Sequence, residues 1–331
     1  MIAGAALSAW LADRQAQGRS SAAVRALAAR WSAHPLIRDL HDELDAMTVK
    51  STEAVEAAAR RFLAREDEIR ALVDDLIAAA AADPFFQPPF LAITSEIHSA
   101  LLLFEDPSLS IALGVAGVDT LAAKKSGKRG PTSIGFTGLR TLFRFVKSGG
   151  SSLSFWEAPP LDDQFVGEGG GKCRLTGRRR LEDGELFVLD GRTQSFVIEH
   201  ATSDAVYLQA VVKVGTAPLS REYDSATLEY VGASSTDEES SRVQMMVSLL
   251  RMMDRTDAVP VIRESLKSPH FHMRWHVMRE LLALDAEAAL PDLRDMAESD
   301  PHPEVRAAAA QALAMFFGPP EEEAEVVQCR A

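Results

Sequence analysis

Two short stretches near the C-terminal end decide how this sequence is organised. Residues 269–274 read PHFHMR and residues 301–306 read PHPEVR, so proline, histidine and arginine recur at a spacing of 32. Arg242 lies a further 32 residues upstream of Arg274 and begins another helical run. A fixed period of this kind indicates an array of helix pairs, in which each pair buries its apolar face against its neighbours.

Residues 300–313 carry the fullest form of this repeat, DPHPEVRAAAAQAL. They resemble the second helix of HEAT-like repeats, in which an Asp-Pro turn leads into a Val-Arg pair and an alanine-rich helix. The Val-Arg pair lies one place earlier here. The resemblance covers residues 236–317 and implies an α-solenoid. Because so few helix pairs are present, we expect the array to pack on the central domain or on another subunit.

The rest of the chain falls into two zones of different composition. Residues 1–130 are rich in alanine and leucine at helical spacing, and residues 131–234 hold short strand-like runs separated by glycine, aspartate and proline. In the first zone we predict helices over 51–82, 90–104 and 107–123. The predicted domains are 1–130, 131–234 and 235–318, followed by an acidic disordered tail over 319–331.

Residues 181–196, LEDGELFVLDGRTQSF, contain two glycine turns that flank a strand. They resemble the second motif of cupins, in which a metal-binding histidine follows, and Gln194 lies closest to that place. The first cupin motif carries a His-x-His pair and a glutamate, but residues 149–171 contain no histidine. The missing ligands predict no metal and no other cofactor. The predicted fold class is multidomain α+β: a helical N-terminal region, a central cupin-like β barrel or sandwich, and a C-terminal HEAT-like α-solenoid.

A barrel without a metal can still hold a small ligand at its mouth. The residues of the predicted strands that could line such a pocket are Trp156, Gln194, Phe196, His200 and Tyr207. The alternative is a divalent metal held by His200 and distant histidines such as His98. That arrangement would serve the dioxygenase or isomerase chemistry that the cupin resemblance implies.

A stacked array would align the recurring arginines along one edge. Arg242, Arg274 and Arg306, with Trp275 beside them, are therefore candidates for binding an acidic protein partner. The interpretation that we favour is that each arginine pairs with an acid or a backbone carbonyl of the neighbouring repeat.

Two histidines of the same region lie four residues apart. His272 and His276 would share one helix face, which makes them weak candidates for a transition-metal pair. His270 recurs as His302 in the repeat turn, and this recurrence favours a structural role for the histidines.

The charge balance limits the classes of partner. The chain has 48 acidic and 35 basic residues and a net charge of −13, which argues against a general nucleic-acid binder because such a protein needs a positive field. Basic residues cluster at 124–129 and 172–180. The two cysteines form no disulfide framework, so a cytoplasmic location is predicted. No apolar stretch is long enough to span a bilayer.

These observations favour a non-enzymatic protein-interaction or scaffold protein. Its partner would be another protein or a second copy of the chain, with a small molecule as a further ligand of the β domain. Two other functions stay open: a metal-dependent cupin-type enzyme, and a sensor that binds a ligand in the β domain and signals through the helical repeats.

Overall fold

The computed structural model describes residues 4–94, 98–119, 133–160 and 171–317. They form two compact units: the first holds the residues up to Pro159 together with Gly171–Gly232, and the second holds the residues from Ala233 onward. The predicted acidic tail and the basic cluster at 124–129 lie outside the described residues. No helix within the described ranges is long and apolar enough to cross a membrane.

The first unit begins with five helices: α1 (Gly4–Ala12), α2 (Arg14–Ala33), α3 (Pro35–Asp45), α4 (Thr52–Ala64) and α5 (Glu66–Ala82). Ser51 caps α4 because its side chain accepts a hydrogen bond from the Ala54 amide. The single helix predicted over 51–82 is two helices, since the backbone leaves the helical region at Arg65.

The helix predicted over 90–104 is wrong, and so is the helix predicted over 107–123 as far as residue 116, whereas residues 120–123 lie outside the described residues. This part of the chain forms the strands β1 (Leu91–Thr94), β2 (His98–Glu105) and β3 (Leu109–Ala116). A tight turn joins β2 to β3, in which the Asp106 carboxylate accepts a hydrogen bond from the Ser108 amide at 2.8 Å. A strand that packs on both faces is apolar throughout, so its sequence resembles that of a buried helix.

Nine further strands complete the first unit: β4 (Ser133–Phe136), β5 (Arg140–Lys147), β6 (Ser152–Glu157), β7 (Arg174–Arg180), β8 (Leu186–Asp190), β9 (Gln194–His200), β10 (Ala205–Val212), β11 (Leu219–Asp224) and β12 (Tyr230–Ser235). The sheet orders are β1-β2-β3-β10-β5-β8, β12-β11-β4 and β7-β6-β9. Among the described strands there are thus three antiparallel sheets and no single closed barrel.

The core of the first unit has a helical and an aromatic part. Leu40 and Leu44 of α3 and Phe62 of α4 pack against Ile111 and Leu208 of the six-stranded sheet. On another side, six rings form an aromatic cluster with centroid separations of 5.1–6.4 Å: Phe143, Phe145, Phe155, Phe187, Phe196 and Tyr207.

The second unit is helical. It contains α6 (Glu238–Met252), α7 (Val259–Glu264), α8 (Phe271–Leu284), α9 (Ala286–Ser299) and α10 (Pro303–Phe317), and α7 lies between two short 3-10 turns, Thr256–Ala258 and Ser265–Lys267. The repeat of 32 places α6, α8 and α10 in equivalent positions, with α7 and α9 as the intervening helices. Val277, Met278 and Leu281 of α8 form the centre of its core.

The described residues form helices towards both ends of the chain and antiparallel strands in the centre, which agrees with the predicted multidomain α+β class. The bounds of the three predicted domains and of the tail stay a prediction. The six-stranded sheet already begins at Leu91, within the zone that composition assigns to helices.

Candidate functional site

Two of the three recurring arginines hold the turn that precedes their own helix. Arg274 donates from Nε and Nη2 to both carboxylate oxygens of Asp300 at 2.7 Å, and from Nη1 to the carbonyls of Ser268 and Pro269 at 3.0 and 3.1 Å. Arg306 donates in the same way to the carbonyls of Asp300 and Pro301 at 2.6 and 3.1 Å.

The pair between Arg274 and Asp300 is buried inside the array. Burial by itself would raise the pKa of Asp300, but the hydrogen bonds from Arg274 and from the His302 amide outweigh it and lower that pKa. The Arg274 guanidinium is therefore used within the array, as the favoured interpretation expects.

Arg242 differs from its two equivalents. Its side chain is 68% exposed and pairs with Glu238, which lies one turn earlier on the same helix. The chain before α6 is the strand β12 and not a helix, so the turn that Arg274 and Arg306 hold has no counterpart here. Among the three candidates, Arg242 is the arginine whose charged group faces solvent.

Beside Arg242, α6 presents an apolar surface, which we call the methionine face. Its residues are exposed by 54–73% and lie at positions i, i+1, i+4, i+7 and i+8, on one side of the helix and its C-terminal cap: Met245, Met246, Leu249, Met252 and Met253. A depression of about 490 Å³ lies along it, lined by Gln244, Met245, Ser248, Leu249, Met252 and His276.

The repeat register shows that this exposure is unusual. The residues 32 places after Met245, Met246 and Leu249 are respectively Val277, Met278 and Leu281, and each of these is 0% exposed. In α8 these three residues lie in the core that the helices of the second unit form together. The residues 32 places before α7 include the start of β12, so α6 has no preceding intervening helix. The methionine face therefore lacks the intervening helix that would pack on it if the array continued before α6.

The other predicted residues of the array lie inside or beside its core. Trp275 is half-buried against that core. His276 lies in the depression, with Nε2 at 3.3 Å from the Ser248 hydroxyl. Both ring nitrogens of His272 are buried without a hydrogen bond, and burial lowers its pKa to about 4.

No metal site is formed in the part of the chain that the structure describes. There, no group of three histidine, cysteine, aspartate or glutamate side chains could hold an ion. His98 begins β2 and His200 ends β9, and neither belongs to such a group. The described residues therefore do not fit the divalent metal that the alternative function needs.

The first unit has a cavity of about 310 Å³ that contains two of the five predicted ligand-binding residues, Trp156 and Gln194. Trp156 Nε1 donates to the Ser154 hydroxyl at 3.0 Å, and Gln194 Oε1 accepts from the Asp190 amide at 3.1 Å. The Arg179 guanidinium lies over the rings of Phe155 and Phe187, at 5.0 and 5.5 Å from their centroids. The cavity therefore offers a ligand both aromatic rings and polar side chains, among them Glu157 and Thr176.

The other three predicted ligand-binding residues lie elsewhere. Phe196 and Tyr207 belong to the aromatic cluster, where burial raises the pKa of Tyr207. His200 is exposed at the end of β9 and pairs in register with Ser152. The five residues do not converge on one site.

The methionine face was not among the predicted sites. The signal was present in the sequence, because the spacing of 32 aligns Leu249 with Leu281. A strand-rich segment before α6 was also predicted; what the sequence did not show is that Met245, Met246 and Leu249 are exposed.

Residues 233–314 match the family described as HEAT repeats, which confirms the resemblance of the C-terminal region. No curated protein matches the chain.

Among solved structures, ectoine synthase from P. lautus is 11% identical, covering 37% of this chain and 68% of its own, with a TM-score of 0.22. AerE from Microcystis aeruginosa is 9% identical, covering 44% and 60%, with a TM-score of 0.25. A sugar phosphate isomerase of the cupin superfamily from Silicibacter pomeroyi is 10% identical, covering 43% and 78%, with a TM-score of 0.23.

At these TM-scores the likeness carries no argument about the activity of this chain. The last of the three belongs to the superfamily that residues 181–196 resemble. The comparison that describes a defined segment is the one with HEAT repeats: from residue 233 to residue 314, the chain is similar to a helical repeat array.

Proposed function

We propose that this chain is a non-enzymatic protein-interaction protein that binds another polypeptide through the methionine face of α6. The observation that carries the proposal is the exposure of Met245, Met246 and Leu249 at positions whose equivalents in α8 are completely buried. Burying a side chain of this size contributes about 1.5–3 kcal/mol. A large exposed apolar patch is typical of an interaction site.

The composition of the face supports this role. Four of its five side chains are methionines, and methionine is flexible and polarizable, so it adapts to the shape of an incoming surface. Arg242 lies at one end of the face and would orient a partner through its charge. Interaction is also the function that a short helical repeat array suggests by itself.

Methionine oxidation tests the proposal directly. Cells that express the protein are treated briefly with peroxide, and the oxidised fraction of each methionine is measured by mass spectrometry. We expect Met245 and Met252 to be protected in cells relative to Met315, which is 69% exposed on α10. Equal oxidation of these three methionines in cells would contradict the proposal.

A second candidate function is supported by the cavity at Trp156 and Phe187. Its walls combine aromatic rings with polar side chains such as Glu157 and Arg179, which favours a small planar molecule that carries polar groups, as a ligand of a scaffold or as the signal of a sensor. Thermal unfolding with a panel of metabolites and divalent metals tests it, because a ligand that binds only the native state raises Tm. A rise in Tm that is lost in Phe187→Ala would support ligand binding in the cavity. The same rise in the wild type and in this variant would contradict it. A shift with a divalent metal alone would support the metal-dependent enzyme.

A further inference from the structure

We propose that the polypeptide on the methionine face is a second copy of this chain, so that two α6 helices pack antiparallel across a two-fold axis near Leu249. The inference rests on the proposed function and names its partner. Leu249 would meet Leu249 of the second copy, and Met245 and Met246 would meet Met253 and Met252 of the second copy. One interface would then cover both methionine faces.

The direction of the packing follows from the array. Asp285 is the only residue between α8 and α9, and residues 300–302 separate α9 from α10, so consecutive helices turn back on each other. A helix in the vacant position on α6 would likewise run antiparallel to it. A second α6 satisfies this direction and places the same apolar surface on both sides, as a two-fold interface requires.

The charges at the two ends of the face are complementary in this arrangement. Arg242 lies seven residues before Leu249, and the exposed Asp254 lies five residues after it. Antiparallel packing brings Arg242 of one copy close to Asp254 of the other. The two-fold axis repeats this pair. Charges that flank an apolar seam set the partner and the orientation of paired helices.

The test is the mass of the purified protein in solution, measured by analytical ultracentrifugation over a range of concentrations. We expect a dimer that dissociates on dilution. The variant Met245→Glu/Leu249→Glu would be a monomer at every concentration at which the wild type is a dimer. The matched control is Val261→Glu, because Val261 is 70% exposed on α7 and lies outside the methionine face. This control keeps the dimer, and circular dichroism verifies that each variant is folded.

A second pair of variants tests the orientation. Arg242→Glu places a glutamate opposite Asp254 of the second copy, and the two resulting repulsions weaken the dimer by about tenfold in Kd. Adding Asp254→Asn restores part of the affinity, since asparagine tolerates the left-handed backbone at this position (φ 54°). If Asp254→Asn changes the Kd of the dimer by the same factor in the wild type and in the Arg242→Glu variant, the antiparallel arrangement is wrong.

The results separate this inference from the proposed function. A wild-type protein that is monomeric at all concentrations overturns the second copy as the partner. Protection of Met245 and Met252 in cells would then assign the face to a different protein and leave the proposed function intact. If the protein is monomeric and these methionines are unprotected in cells, both proposals fail.

Discussion

Arg274 shows at the scale of one residue why an arginine recurs in this array. Four of its five N–H donors bond to two carboxylate oxygens and two turn carbonyls, which a lysine could not satisfy in the same geometry. The turns between helices leave carbonyl groups that need partners, and an arginine at this position supplies them. The recurrence at 32 residues thus has a local structural cause.

Removing the buried arginine should be costly. Arg274→Ala leaves the Asp300 carboxylate buried without its ion-pair partner, and we expect a loss of about 3–5 kcal/mol in the free energy of unfolding. Arg242→Ala, at the exposed equivalent position, should change it by less than about 0.5 kcal/mol. Urea denaturation followed by circular dichroism measures both. A loss for Arg274→Ala no larger than that for Arg242→Ala would contradict this account.

His272 makes stability depend on pH. Its pKa is about 4 in the folded protein against 6.5 for an ordinary histidine, so between these values the unfolded chain binds a proton that the folded chain does not. This residue therefore lowers stability as pH falls from 6.5 towards 4, by up to about 3 kcal/mol, and has no such effect above pH 6.5.

Urea denaturation at pH 7 and pH 5 tests this prediction. The variant His272→Leu should lose less stability between the two pH values than the wild type does. His200→Gln, which changes an exposed histidine, should behave like the wild type. The same pH dependence in His272→Leu and in the wild type would rule out His272 as the source.

At the scale of an element, β3 and β10 depend on one glycine. A Cβ atom at Gly114 of β3 would lie 2.7 Å from the ring of Tyr207, its register partner on β10. Such a distance is closer than packed atoms allow, and the ring is held in the aromatic cluster. This is why β3 carries a glycine in the middle of an otherwise apolar strand.

The variant Gly114→Ala tests the close approach between the backbone of β3 and the ring of Tyr207. We expect Gly114→Ala to lower the free energy of unfolding by about 1–3 kcal/mol, the range for overpacking. Gly135→Ala is the matched control, since Gly135 also lies in a strand and a Cβ there meets nothing within 4 Å. Chemical denaturation of both variants gives the comparison, and equal stability would show that Tyr207 can move aside.

At the scale of the whole molecule, oxidation of the methionine face should control the association of two copies of the chain. Methionine sulfoxide is polar, so oxidising the methionine face should weaken the proposed dimer. A variant with leucine at the four methionine positions of the face keeps the apolar surface and should stay a dimer after peroxide treatment. Ultracentrifugation before and after treatment makes the measurement. Dissociation of the leucine variant by peroxide would show that another site is responsible.

The sequence by itself determined the repeat of 32, the helical ends and the strand-rich centre, because periodicity and turn residues are local properties. It did not separate helix from strand between residues 90 and 116, because apolar runs such as residues 100–104 and 111–116 show no alternation with a period of two.

Only the tertiary structure decided which recurring residues are exposed. Arg274 and Leu281 are buried whereas Arg242 and Leu249 are not, although each pair occupies the same repeat position. The reason is that burial depends on the neighbouring elements: α8 lies between other helices of the array in sequence and in its core, whereas the chain before α6 is a strand.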